Sequence, residues 1–498
     1  VADTIVPLAE LARRRSLGEA PAAGGCRAPA GGRAGGCGST AAPADMPPAV
    51  WEKVKRHPCY SVEAHHFFAR MHVAVAPRCN IQCNYCNRKY DCANESRPGV
   101  VSERMTPEQA ERKVLAVAAR MPQLSVVGIA GPGDALANAA ATFETCDRIA
   151  QQLPDVALCL STNGLALSEH VDAIKARNIS HVTITMNAID PEIAAKIYAW
   201  VVIDRKRYDG VDAARLLIER QLDGLKRAVA AGLLVKVNSV MIPGINDQHL
   251  REVNAEVRRH GAFLHNIMPL ISDPAHGTRF GLDGQRGPNA AELKTLQDSL
   301  SGGAKLMKHC RQCRADAIGL LGNDCGQEFN MAKIEPAAVA DDPGTRQAYR
   351  AFVDEEQVQR NEASARAART LRTATGAAPM LVAVCTKGGG RINQHFGHAR
   401  EFQIFEADRD GVRLVGHRRT QHYCQGGDGN DDVLDRTIEA LDGVSAVLCA
   451  RIGSCPKDQL TAAGIRAVDD YAFEYIETAV AALFREEAAR DVAPARTA

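Results

Sequence analysis

The feature that most restricts the fold is a regular exchange of short apolar runs with longer amphipathic stretches between residues 71 and 269. Apolar runs at 71–76, 125–130, 156–160, 181–186, 234–241 and 263–269 read as strands. Between them, 107–121, 143–153, 168–177, 212–231 and 247–260 repeat apolar residues at helical spacing. Alternation of this kind builds parallel βαβ units, because a parallel neighbour needs a crossover long enough to hold a helix. Six units are too few for a closed eight-fold barrel, so an α/β fold with a partial (β/α)6 barrel is expected. In such barrels the chemistry sits on loops after the C-terminal ends of the strands. The loops that follow the first four strands contain Cys79, Cys83 and Cys86, then Gly131-Pro132-Gly133-Asp134, then Ser161-Thr162-Asn163-Gly164, then Asn187.

The first of these loops reads A-P-R-C-N-I-Q-C-N-Y-C-N over residues 76–87, a C-x3-C-x2-C spacing with Tyr85 before the third cysteine. Thiolates so close in sequence are suited to an iron–sulfur cluster, and three of them leave one iron of a four-iron cluster open. A zinc knuckle would want four ligands in two pairs. The run resembles the signature of radical S-adenosylmethionine (SAM) enzymes. That resemblance implies a [4Fe-4S] cluster on Cys79, Cys83 and Cys86, with SAM chelating the open iron. It also implies SAM contacts from Gly131, Gly133 and Asp134, from Ser161, Thr162 and Asn163, from Asn187, and from Ile242 in the V-M-I-P-G segment.

Sixteen cysteines is a high number for 498 residues. With no signal peptide or long apolar run, tight cysteine clusters read as metal ligands in a cytoplasmic protein rather than as disulfides. Sixty basic against 59 acidic residues exclude a polyanion as the main partner, so neither nucleic acid nor membrane is expected. Beyond the triad stand Cys59 in H-P-C, Cys92 in D-C-A-N-E-S-R-P, Cys159 at the end of the third strand, and the pair Cys310 and Cys313 in H-C-R-Q-C-R. Cys146 and Cys325 read as small buried hydrophobes.

Together, V-A-P-R-C-N-I-Q-C-N-Y-C-N-R-K-Y-D-C-A-N-E-S-R-P-G at 75–99, the H-P-C before it and H-C-R-Q-C-R-A-D-A-I-G-L-L-G after it resemble the NifB family of nitrogenase cofactor biosynthesis proteins, over 51–335. The resemblance implies two further [4Fe-4S] precursor clusters, fused around a SAM-derived carbide with an added sulfur into an eight-iron precursor of the iron–molybdenum cofactor. By position, Cys92 and Cys159 with His57 would hold one precursor, and Cys310 and Cys313 with Cys59 the other. Glu95 and Arg97 would relay protons or position SAM. The partners implied are a cluster-donating scaffold, an electron donor such as ferredoxin or flavodoxin, and cofactor carrier proteins.

Residues 1–50 are rich in Ala, Gly and Pro and read as a disordered tail; 336–377 read as a helical or flexible linker with little apolar face. Residues 378–486 read as a small mixed α/β domain, followed by a tail at 487–498. Its G-G-G-R-I-N-Q-H-F-G-H-A loop at 388–399 resembles NifX/NafY-type cofactor-binding domains of ribonuclease H-like fold, which implies His395 and His398 as cluster contacts. Two other readings stay open: a molybdopterin-precursor synthase, in which Cys310, Cys313 and Cys325 would imitate a second triad, and a non-catalytic iron–sulfur scaffold.

Overall fold

The computed structural model describes residues 46–87, 99–300, 305–334, 342–372, 378–420 and 431–492. The chain divides into two compact units, one of Lys53–Arg120 and Leu124–Asp341, the other chiefly of Asp342–Ala498. In the first unit the strands are β1 (Ala69–His72), β2 (Ile81–Cys83), β3 (Leu124–Ile129), β4 (Ala157–Thr162), β5 (His181–Thr185), β6 (Tyr198–Ile203), β7 (Lys206–Tyr208), β8 (Leu234–Met241), β9 (Leu264–Pro269) and β10 (Ile318–Gly319).

The main sheet has the order β10-β1-β3-β4-β5-β8-β9. Strands β1 to β9 in that order pair in parallel, and β10 closes the β1 edge antiparallel. Spatial order therefore follows chain order, as expected when each crossover returns with the same hand. The helices Pro107–Arg120, Ala139–Gln152, Leu167–Ala176, Gly210–Ala230 and Leu250–Arg259 lie where the amphipathic stretches were read. The partial barrel expected from the alternation is present.

Two features depart from the sequence reading. The first strand leaves the ladder at His72, four residues early, although Val73 N–H still donates to Gly128 O and Ala76 bridges Pro132. A second, antiparallel sheet of order β2-β6-β7 was not foreseen. Its strands are three to six residues long, and one ends on Cys83 itself, so the cysteine spacing masked the strand pattern.

In the second unit, β11 (Met380–Val384), β12 (Glu401–Asp408), β13 (Gly411–Arg419), β14 (Ala446–Leu448) and β15 (Arg466–Val468) form a mixed sheet of order β13-β12-β11-β14-β15. Alternation along β11 feeds two cores. Val382 and Val384 pack with the helix Ile476–Val492, while Ala383 and Cys385 pack with Leu434 and Leu460 on the other face. The stretch read as a linker is, over Pro343–Leu371, a single helix grouped with this unit. Tyr349, Val353, Ala363, Ala367 and Leu371 form its buried stripe, and Ala367 and Leu371 join the first of these cores.

Candidate functional site

Cys79, Cys83 and Cys86 are all partly exposed on the loop after β1. The small antiparallel sheet fixes the middle of that loop, since Cys83 is registered against Tyr198 on β6. Gln82 ties its ends together, donating to the carbonyls of Cys83 and Cys86, both at 2.9 Å. Asn163 reaches the loop from the end of β4, with Nδ2 2.6 Å from Asn80 Oδ1 and 3.8 Å from Cys79 Sγ. Among the described residues no three His, Cys, Asp or Glu side chains converge on a single ion. A cluster does not require it, because each thiolate binds a different iron. Three half-exposed thiols with a side-chain amide beside one sulfur fit a resident four-iron cluster with an open edge.

The turn after β3 holds this loop by its backbone. Gly133 N–H donates to Ala76 O at 2.7 Å and Asp134 N–H to Arg78 O at 2.8 Å. A Cβ on Gly133 would lie 2.1 Å from Arg78 O, so only glycine permits this approach. Asp134, expected as a SAM contact, is buried and accepts from Leu136 N, Ala137 N, Asn163 N and Thr162 Oγ1. Burial pushes its carboxyl above the usual range, and those four donors pull the other way. Asp134 and Thr162 thus lock the second turn to the third, with Thr162 Oγ1 also accepting from Gly164 N.

Asn187, also expected as a SAM contact, is tied to the scaffold in the same way. It is fully buried, with Nδ2 donating to Tyr85 Oη (2.9 Å) and Tyr198 Oη (3.0 Å) and Oδ1 accepting from Val240 N (2.8 Å). It braces the residue before Cys86 against the residue opposite Cys83. Ile242 is likewise fully buried in the core beneath the loop, its N–H bound to Asn246 Oδ1. Of the expected SAM contacts, Gly133 and Ser161 keep accessible surface, and Gly131 is buried.

The other cysteines meet inside the curve of the main sheet. On β4 the half-exposed face is Ala157, Cys159 and Ser161. Gly128 on β3 makes room for Cys159, since a Cβ there would lie 2.7 Å from Cys159 Sγ and 3.3 Å from His72 Cδ2. A glycine in mid-strand marks such close approaches. Cys59 and Cys159 are both half-buried. Cys310 and Cys313 also keep surface, and Arg70 on β1 donates to Cys313 Sγ at 3.2 Å. Cys59 feels the charge of both Cys313 and Cys310, and Cys159 that of Cys59. His57 Nδ1 accepts from Cys59 N–H at 3.2 Å, while its Nε2 is buried without a protein partner.

Burial governs ionisation here. It pushes the Cys159 thiol up to about 12, with Cys59 adding to the effect, and raises Cys59. It lowers His181 to about 3 and His72 to about 4, and holds His57 well below the usual imidazole range. Without a cluster the thiols are protonated and the imidazoles neutral, which is the ligand form of histidine. Cys146 and Cys325 are buried, and burial pushes both thiols up to about 12; Cys325 Sγ lies 3.3 Å from Ile318 O. Both lie as small buried side chains.

In the second unit His395 and His398 lie with ring centroids 4.8 Å apart. His395 also caps the short turn Phe396–His398, its Nδ1 accepting from Gly397 N at 2.9 Å. Cys92, Glu95 and Arg97 lie outside the described residues.

Comparison with known proteins now bears on this geometry. The Radical SAM superfamily model matches residues 73–256, and the model described as "Dinitrogenase iron-molybdenum cofactor" matches 378–486. The FeMo cofactor biosynthesis protein NifB of Sinorhizobium fredii is 61% identical over 451 residues, covering 91% of each chain. The chain belongs to the NifB family. The Herbaspirillum seropedicae NifB is 60% identical, covering 93% of this chain and 88% of its own, and that of Azotobacter vinelandii is 52% identical, covering 91% and 93%. Membership of the NifB family makes this a radical SAM protein of FeMo-cofactor biosynthesis, with a resident [4Fe-4S] cluster and SAM as its cofactors. No helix among the described residues is long and apolar enough to cross a membrane.

Sequence reasoning missed several residues that shape this NifB-family site. Arg70 and His72 stand two apart on β1, and Lys236 and Asn238 two apart on β8. Polar residues at period two in a buried strand were the available signal. Tyr198, Gln221 and Asn246, which brace the loops by hydrogen bonds, left no such trace.

Proposed function

We propose that this chain is a radical SAM iron–sulfur cofactor synthase of the lyase or transferase type. It would fuse two four-iron precursor clusters around a SAM-derived carbide, with one added sulfur, into NifB-co, the eight-iron precursor of the iron–molybdenum cofactor. The observation that best supports this reading is that His57 accepts from Cys59 N–H and lies with its ring 4.4 Å from that of His181, which is registered with Cys159, while Cys313 is held by Arg70 on the first strand of the same sheet.

Cys79, Cys83 and Cys86 would hold the resident cluster, and Gly131, Gly133, Ser161 and Asn163 would bound the SAM site. When bound there, SAM supplies a methyl group and, on reductive cleavage, an adenosyl radical. The chain's own share is placement and exclusion. His57, Cys59, Cys92, Cys159, Cys310 and Cys313 would seat the two precursor clusters as substrates. So thin a ligand set lets a fused product leave, whereas four thiolates on each cluster would retain it. The protein around the half-buried Cys59 and Cys159 would keep water and oxygen from the cargo. Glu95 and Arg97 would serve proton transfer or SAM binding. His395 and His398 would receive the finished cluster transiently before a carrier protein takes it. A scaffold protein would donate the precursors, and a ferredoxin or flavodoxin the electrons.

The test is Cys159→Ser in anaerobically reconstituted protein, with iron counted and the eight-iron product assayed. SAM cleavage should survive and the product should be lost. Unchanged formation of the product would remove Cys159 from the precursor site.

A further inference from the structure

Lys236 lies in the middle of β8 and is only 7% exposed, flanked by the fully buried Val235 and Val237. Its Cα is registered with Thr183 on β5, one pleat from His181, which is itself registered with Cys159 on β4. Its side chain therefore points to the same inner face as those residues, since side chains two apart on a strand share a face. Among the described residues no carboxylate pairs with its ammonium. The contacts present are soft ones: Met307 Sδ at 4.0 Å and the face of the Tyr60 ring, 5.4 Å from Nζ to its centroid.

A buried ammonium facing a thioether and an aromatic ring is a costly arrangement unless an anion completes it. Arg70, two residues before His72 on β1, differs. Its guanidinium is engaged by the carbonyls of Gly319 and Leu320 and by Cys313 Sγ. Lys236 instead reaches out to the whole chamber: its charge is felt at His57, Cys59, His72, Cys159, His181 and His309.

We propose that Lys236 is a positioning residue for the cluster substrates, its ammonium supplying the counter-charge to an anionic iron–sulfur cluster seated against Cys59 and Cys159. This rests on the fusion reading above. An oxidised four-iron cluster held by three thiolates, as Cys59, Cys310 and Cys313 would supply, is a net anion, and reduction makes any such cluster more negative. Where the thiolates are too few to grip it, charge holds it without a bond that must later be broken. Net charge around a cluster also sets its reduction potential, so the ammonium holds that potential up.

The experiment compares parent, K236M and K236R as full chains, first free of iron and then reconstituted anaerobically with iron, sulfide and SAM. Methionine matches the stem of lysine and removes the charge. Iron-free K236M should melt above the parent, because a buried charge without an anion is gone. After reconstitution the parent should hold about twelve irons, about four per cluster. K236M should fall toward about four to eight irons, and any precursor cluster it keeps should have a lower reduction potential. K236R should retain most of the iron and the potential. K236M with parental iron content and potential, or an iron-free K236M that melts lower or fails to fold, overturns the proposal. A parent holding only the resident cluster would instead overturn the fusion reading on which it stands.

Discussion

Asn187 spends one amide on three partners, and the cysteine loop depends on all of them. Tyr85 and Tyr198 receive its two N–H groups and Val240 gives its own to Oδ1, all in a fully buried setting. Asn187→Leu keeps the volume and strands two tyrosine hydroxyls and a backbone N–H. An unsatisfied buried group costs about 1–3 kcal/mol, so the first unit should lose stability on that order. The local effect should be larger than the global one: amide exchange at residues 81–86 should accelerate before the rest of the sheet, as hydrogen–deuterium exchange would record. Uniform acceleration would mean that Asn187 supports the core and not the loop. None of this was readable from N-A-I-D in the sequence, where Asn187 stood as a ligand contact because of its place after a strand. Its real partners lie 102, 11 and 53 residues away.

The helix Pro343–Leu371 shows how charge conceals an amphipathic face. Its buried stripe includes Arg346, Gln357 and Arg360 among the apolar residues, so the stretch reads as a solvated linker. Arg360 is matched by Glu477 at the start of Ile476–Val492, both largely buried. Glu477→Ala leaves the guanidinium buried without its carboxylate, a loss of about 3–5 kcal/mol for pairs of this kind. The second unit should then melt earlier in calorimetry, with the SAM-dependent chemistry of the first unit unchanged. A melting shift below that of a surface pair, for which about 0–1 kcal/mol is usual, would show that water reaches Arg360 and that the pair contributes little. By contrast, the helices of the first unit were legible from their periodicity because their buried faces are almost wholly apolar.

For the molecule as a whole, the consequence is where the chain can be cut. Truncation at 377 would remove the mixed sheet and leave Ala367 and Leu371 without their core. Truncation at 341 removes helix and sheet together. The shorter protein should stay monodisperse on gel filtration and still cleave SAM, while the longer one aggregates. Release of product to an acceptor should slow in both. A well-behaved protein ending at 377 would mean that the helix does not need the mixed sheet.

What the sequence determined alone is what its local order encodes. The C-x3-C-x2-C run, the alternation of strands with helices, and the split into two folded units all follow from residues near one another in the chain. The mouth of the partial barrel followed too, because each loop after a strand must emerge at the same end. Tertiary structure decided which polar groups face a ligand and which are spent on the scaffold. Asp134 and Asn187 went to the scaffold, and Cys59, Cys159, Cys310, Cys313 and Lys236 to one inner face. Side-chain direction along a strand is local, with a period of two. Register against the next parallel strand is set across a whole crossover, and only packing of the complete sheet fixes which side chains meet.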